Sequence, residues 1–253
     1  MNYSELEKFS YTELKSIALQ MGLSAHREKD QVIKELTLAF KEYEGYKREK
    51  LDKYRRGEQL GEKGKEGTTF MVTRTSDGAE YAMKTFRKQK SSSKLTKEAE
   101  LQKLAADFGA SPNVIDIDTV SKYIVMEKMD THLVDLMKAQ GGILNKQQQK
   151  HIIGIYKKLD KAGVFHGDAN LLNYMYKGNK MYIIDFGMAR EITTALINSL
   201  GTEVPNMQIM TLGLILKLRE LKCPRASYEY IIEHLSDEQR SQFGFLKEKI
   251  KRV

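Results

Sequence analysis

Residues Val164 to Arg190 read VFHGDANLLNYMYKGNKMYIIDFGMAR, and they hold two carboxylates and an asparagine in a strict order. Asp168 follows His166 and Gly167, Asn173 comes five residues later, and Asp185 opens Asp-Phe-Gly after the apolar run Met181 to Ile184. Phosphoryl transfer calls for this set of groups. One carboxylate orients a hydroxyl, while an amide oxygen and a second carboxylate hold magnesium against the phosphates. Chance supplies HGD or DFG alone often enough. HGDxxxxN, then a strand-like run, then DFG at hairpin distance is a specific combination.

The stretch resembles the catalytic loop and metal-binding loop of the protein-kinase superfamily. The resemblance implies an α+β, two-lobed fold with an antiparallel β N-lobe and a reduced helical C-lobe, and ATP and Mg2+ as cofactors. It implies that Asp168 orients the acceptor hydroxyl and takes up its proton late. Asn173 and Asp185 are then the metal ligands, and hard oxygen donors suit magnesium. By the same resemblance His166 packs beside Phe186 and has a structural role. There are departures. Asn170 stands where protein kinases commonly place a lysine. Gly167 stands where most regulated protein kinases have an arginine that pairs with a phosphorylated activation loop. The expectation is activity that does not depend on loop phosphorylation, with Thr193, Thr194, Ser199 and Thr202 as the hydroxyls nearby.

On the N-terminal side, LGEKGKEGTTFMV carries Gly61, Gly64 and Gly67 between short β-prone pieces, and the strand EYAMK ends at Lys84. A glycine-rich loop lets backbone N–H groups approach phosphates because no Cβ intervenes. Gly64 and Gly67 stand at the kinase distances from Lys84, which by resemblance reaches the α- and β-phosphates, with Ala82 over the adenine. Glu62 replaces the first loop glycine, with Gly61 displaced by one, and Thr69 replaces the usual valine. A buried lysine needs a carboxylate partner. In KLTKEAELQKLAADFG, Glu98 shares a helix face with Leu101, Ala105 and Phe108, and Glu100 shares one with Leu104; Glu98 is preferred and Glu100 stays open. In YIVMEKMD, the resemblance puts Met126 behind the adenine and assigns backbone contacts with it to Glu127 and Met129.

On the C-terminal side, THLVDLMKAQGG reads as a short helix closed by Gly141-Gly142, and QQQKHIIGIYKKLDKAG as a helix with a wide apolar face. NMQIMTLGLILKLREL resembles the buried helix after the activation segment, with Gln208 where an aspartate usually anchors the catalytic loop. Residues 188–253 are too few for the full helical end of a typical protein kinase. HGD with a short C-lobe resembles the compact atypical kinases, such as the RIO-type and the tRNA-modification-complex kinases. The wording of YAMKTFRK, KEAELQ and YIVMEKMD also looks like small kinases encoded by large DNA viruses.

Ahead of the kinase-like region, Thr12 is read as the cap of a helix carrying Leu14, Ile17, Ala18 and Met21, which Gly22 stops. A second helix from Glu28 to Phe40 puts Val32, Ile33, Leu36 and Phe40 on one face. The run LKSIALQMGLSAHREKDQVIKEL resembles the SAP motif, a DNA-binding helix–extension–helix, with Arg27 where that motif usually has glycine. The resemblance implies that His26, Arg27 and Lys29 meet DNA phosphates. The organisation read from the chain is a SAP-like module over 1–45, a charged linker over 46–58, an N-lobe over 59–129 and a C-lobe over 130–253, with the charged run 41–58 read as a solvated linker or an exposed helix.

The formal charge of +8 suits an anionic partner. The single cysteine, Cys223, excludes an internal disulfide, and with an N-terminus unlike a signal peptide it points to a reducing, intracellular location. No apolar run is long enough for a membrane span. The leading expectation is a serine/threonine protein kinase acting on protein substrates, with DNA-associated ones favoured by the N-terminal module. A pseudokinase or DNA-tethered scaffold and a small-molecule kinase are the alternatives. Oligomeric state is not legible.

Overall fold

In the computed structural model, residues 3–23, 28–61, 64 and 66–241 are described. The chain forms two compact units, residues 1–56 with 73–79 and residues 57–72 with 80–253. His26 and Arg27, two of the three residues assigned to DNA phosphates, lie outside the described residues, as does Glu62 of the glycine loop.

The first unit is built on helices α1 (Tyr3–Leu6), α2 (Tyr11–Gln20) and α3 (Lys29–Asp52). Leu6, Leu14, Ala18, Val32, Ile33 and Leu36 are buried together, with Ile17 and Phe40 packed on their margin. Helical spacing alone puts those residues on facing stripes. The cap is Ser10 rather than Thr12: Ser10 Oγ accepts the Glu13 N–H and Glu13 Oε2 accepts the Ser10 N–H at 2.7 Å, a reciprocal capping box. Gly22, at φ +73°, ends α2, with Leu23 N donating to Ala18 O and Gly22 N to Leu19 O, the two bonds of a Schellman ending. α3 continues to Asp52, so of the two readings of the charged run the helix describes it as far as Asp52, and a strand follows in place of a linker. Lysine and glutamate are good helix formers and no proline interrupts them, so charge density there marked a polar helix.

A five-stranded sheet has the order β1-β2-β3-β5-β4. Its strands are β1 (Tyr54–Leu60), β2 (Gly67–Arg74), β3 (Glu80–Phe86), β4 (Val114–Asp118) and β5 (Tyr123–Glu127), with α4 (Ser92–Asp107) between β3 and β4. β3 and β4 each pair antiparallel with β5. Ala82, Phe86, Leu95, Ala99, Ile124 and Met126 form the core beneath this sheet.

The remainder is helical around a larger core. β6 (Thr131–His132), α5 (Leu133–Ala139), α6 (Lys146–Lys161) and β7 (Val164–Phe165) lead to the HGD segment. β8 (Tyr174–Lys177) and β9 (Lys180–Ile183) form the hairpin that delivers DFG. β10 (Arg190–Glu191) pairs with β7, and α7 (Thr194–Leu200), α8 (Thr211–Glu220) and α9 (Glu229–Ile232) follow. α6 buries Ile152, Ile153, Ile155, Tyr156 and Leu159, the apolar face expected from its spacing. Among the described residues, no helix is long and apolar enough to cross a membrane.

Candidate active site

Lys84, Glu98 and Asp185 meet although strand, helix and loop carry them separately. Lys84 Nζ lies 2.8 Å from Glu98 Oε1 and 2.7 Å from Asp185 Oδ1. β3 supplies the lysine. α4 supplies the glutamate on the face it buries with Leu95, Leu101, Gln102 and Ala105, and Glu100 is exposed on the other side. The lysine side chain is 14% exposed and the glutamate 3%. Burial pulls the Lys84 pKa down, but the Glu98 and Asp185 carboxylates outweigh it and hold the ammonium above the ordinary lysine value. Burial likewise pushes Asp185 up, and the Lys84 charge overcomes it, so the carboxyl sits below its usual range. Lys84 and Asp185 are therefore both charged.

Asp185 takes φ +66°, a left-handed conformation rare outside glycine and asparagine, and its carboxylate accepts the Gly187 N–H at 3.4 Å. Phe186 beneath it is buried, and its ring meets His166 edge-on at 4.9 Å. The His166 ring nitrogens lie 3.2 Å from Asp168 O and 3.1 Å from Ile184 O, tying the two loops together. Burial lowers the His166 pKa, against those carbonyls and the nearby carboxylates, so the imidazole is neutral and donates to one of them.

Asn173 Nδ2 donates to Asp168 Oδ2 at 2.9 Å. That bond fixes the amide's orientation and leaves its oxygen as an acceptor. Asn170 acts locally: its N–H donates to Asp168 Oδ1 at 3.1 Å, and its Oδ1 accepts the Leu172 N–H. Gly167 has φ +77°, and a Cβ there would stand 3.1 Å from Met188 O, so the backbone itself disfavours an arginine.

The catalytic loop's anchor is not Gln208. Asn206 is fully buried, and its Oδ1 accepts the His166 N–H at 3.1 Å. Its Nδ2 donates to Asp160 Oδ1 at 2.7 Å and to Val164 O at 2.8 Å. Asp160, on α6, also accepts the backbone N–H groups of Asn206 and Met207. A π-helical turn spans Asn206–Met210. The wider turn accompanies the change of anchor, with Asn206 rather than Gln208 bonded to the loop.

Lys90 is a second residue that sequence reasoning passed over. Its ammonium contacts the other oxygen of Glu98, and it lies 2.6 Å from Glu66 Oε2. The only signal was the basic run Arg87–Lys90, which reads as ordinary solvated surface.

In the glycine-rich segment Gly61 has φ +69° and ends β1. Gly67 is required by packing: a Cβ there would stand 2.0 Å from Thr85 O on β3. Gly64 is exposed. Ala82, Met126 and Met129 are buried. The Glu127 carboxylate is held by the Asn113 N–H at 3.0 Å and Lys177 at 3.1 Å. Among the described residues, the backbone N–H and C=O of Met129 have no hydrogen-bond partner.

Comparison with known proteins agrees with this geometry. The protein kinase domain family matches residues 54–204. The chain belongs to that family. It is 30% identical over 157 residues to calcium-dependent protein kinase 27 of Oryza sativa subsp. japonica, across 54% of this chain and 25% of that protein. It is 32% identical over 98 residues to KEOPS complex subunit Bud32 of Pyrococcus abyssi, across 37% of this chain and 43% of that protein. Calcium-dependent protein kinase 25 of Arabidopsis thaliana is 28% identical over 185 residues, 66% of this chain and 33% of that protein. The chain thus spans a quarter to less than half of the length of these relatives.

Proposed function

We propose that the protein transfers the γ-phosphoryl group of ATP, with magnesium, to serine or threonine hydroxyls of protein substrates inside cells. The observation that carries the reading is Lys84 bridging Glu98 and Asp185 beside an Asp168 carboxylate bonded to Asn173.

The donor set fits magnesium. Asp185 is half exposed and charged, and Asn173 has its amide oxygen free of the bond to Asp168. Among the described residues there is no cluster of three or more His, Cys, Asp or Glu that could hold a metal. Magnesium does not need one, because it keeps waters and takes substrate phosphates alongside one or two protein oxygens. Bound magnesium-ATP would supply the phosphoryl group and offset its charge. Lys84, held extended by Glu98, would bind phosphate oxygens. Asp168, restrained by Asn173 and by the Asn170 N–H, would orient the incoming hydroxyl and accept its proton late. The unpaired Met129 backbone groups and buried Ala82 and Met126 suit an adenine edge and face. Lacking an arginine at Gly167, the catalytic loop has no partner for a phosphorylated activation segment. Of the hydroxyls nearby, Thr202 is buried and Thr193 caps α7.

The relatives named as protein kinases support this assignment. So does the likeness to Bud32. The test is transfer of labelled γ-phosphate by wild type and Asp185→Ala, offered basic and acidic proteins. Transfer to serine or threonine by wild type alone supports the reading. ATP binding without transfer would favour a scaffold instead. The SAP-like resemblance of the first unit supports a DNA-directed role, although Lys29 Nζ there already donates to Glu7 O at 3.3 Å. Salt-dependent binding of duplex DNA, weakened by Arg27→Glu, would support that role, and salt-insensitive or absent binding would remove it.

A further inference from the structure

We propose that Lys90 is a second phosphate-binding lysine of the nucleotide site, and that Glu66 fills that place as an internal stand-in for phosphate until nucleotide displaces it. This rests on the ATP-dependent reading above.

Lys90 is built into the site. Its side chain is 9% exposed, it shares the Glu98 carboxylate with Lys84, and both ammonium groups lie over the Phe86 ring, at 4.6 Å and 5.1 Å. A lysine that only decorated the surface would keep its head group in water. Asn170 leaves the catalytic loop without a cation, and among the described residues Lys90 stands beside Lys84, placed to offset added phosphate charge.

Glu66 is the group that can leave. It belongs to the segment between Gly64 and Gly67, and its side chain is 51% exposed against 3% for Glu98. Its Oε2 lies 2.6 Å from Lys90 Nζ and 2.9 Å from where a Cβ on Gly187 would stand, so it reaches down to the DFG turn. The Glu66 carbonyl accepts the Arg87 N–H at 3.0 Å. Lys84 and Lys90 therefore face the Glu66, Glu98 and Asp185 carboxylates, an excess of negative charge. A polyphosphate whose charge is not already offset by magnesium meets repulsion there, most of all at the Lys90 position that Glu66 fills. Swinging Glu66 outward balances the remaining charges and frees an ammonium for the incoming anion.

The experiment measures binding of ATP and of adenosine by calorimetry, without turnover, to the full chain and to Glu66→Gln, Lys90→Met and the double variant. Glu66→Gln keeps the shape and removes the charge. It is expected to tighten ATP binding about three- to tenfold and leave adenosine unchanged, the range open to a partly exposed charged pair. Lys90→Met should weaken ATP binding by about tenfold with adenosine again unchanged, and in the double variant the Glu66→Gln gain should vanish. Parallel changes in adenosine and ATP would mean a purely structural role and overturn the proposal, as would an unaltered ATP affinity in Glu66→Gln. Should Lys90→Met fail to fold, the Glu66→Gln result still decides. If neither ligand binds any variant, the nucleotide reading itself falls and this inference with it.

Discussion

Asp168 is held by two donors, from Asn173 Nδ2 and the Asn170 backbone, and neither depends on nucleotide. Asp168→Asn should therefore bind ATP as wild type does while losing about 10²–10⁴ in kcat, measured by steady-state phosphotransfer. Gly167 faces a different demand, because its φ of +77° puts any side chain in the left-handed region close to Met188 O. Gly167→Arg, the residue of regulated kinases, is expected to cost at least about 1–2 kcal/mol in urea unfolding. It should not introduce a dependence on loop phosphorylation. HGD, Asn173 and DFG were legible because their chemistry sits in short contiguous strings. Lys90 was not, because a lysine becomes part of a site only when the fold turns it inward, and nothing in its neighbours announces that.

Helices and loops bring their own tests. Asn206 satisfies the His166 N–H, the Val164 carbonyl and Asp160, all within the buried base of the catalytic loop. Asn206→Ala leaves these groups unmatched and should cost about 2–4 kcal/mol in denaturant unfolding. Asn206→Asp, which supplies the acid the family usually has nearby, should also destabilise, because it sets two carboxylates face to face. Adding Asp160→Asn should recover most of that loss. α2 offers a milder case: Ser10→Ala removes the cap and should lower the stability of the first unit by about 1 kcal/mol in thermal melts. Helix faces were readable from spacing, and α4's choice of Glu98 over Glu100 followed from which apolar residues it rides with. Boundaries were less so. Thr12 and Ser10 are both good caps, and only the reciprocal bond with Glu13 separates them; a charged run such as 41–52 fits a helix and a linker equally until its backbone bonds are seen.

Taken as a whole, the chain closes its catalytic ions into one charged group whose pH limits can be stated. Asp185 titrates below its ordinary 3.8, so its stabilisation is complete above that pH and is lost as pH falls through the lowered value. Lys84 titrates above its ordinary 10.5, so its share is complete below that pH and disappears as pH rises through the raised value. The stability difference between wild type and Lys84→Met should be flat between those limits and shrink outside them, as followed by urea midpoints across pH. The fold class followed from the resemblance carried by HGD, Asn173 and DFG, while the anchoring of the catalytic loop did not, since it depends on a partner on α6 and on a helix that departs from regular geometry. That anchoring has a bearing on how degenerate kinases are recognised. A residue-by-residue checklist would score Gln208 as a lost aspartate and count the chain among the dead. Here the same mechanical job is shared between an acid on one helix and an amide on another, and an inventory of positions cannot see a duty that has been divided and moved.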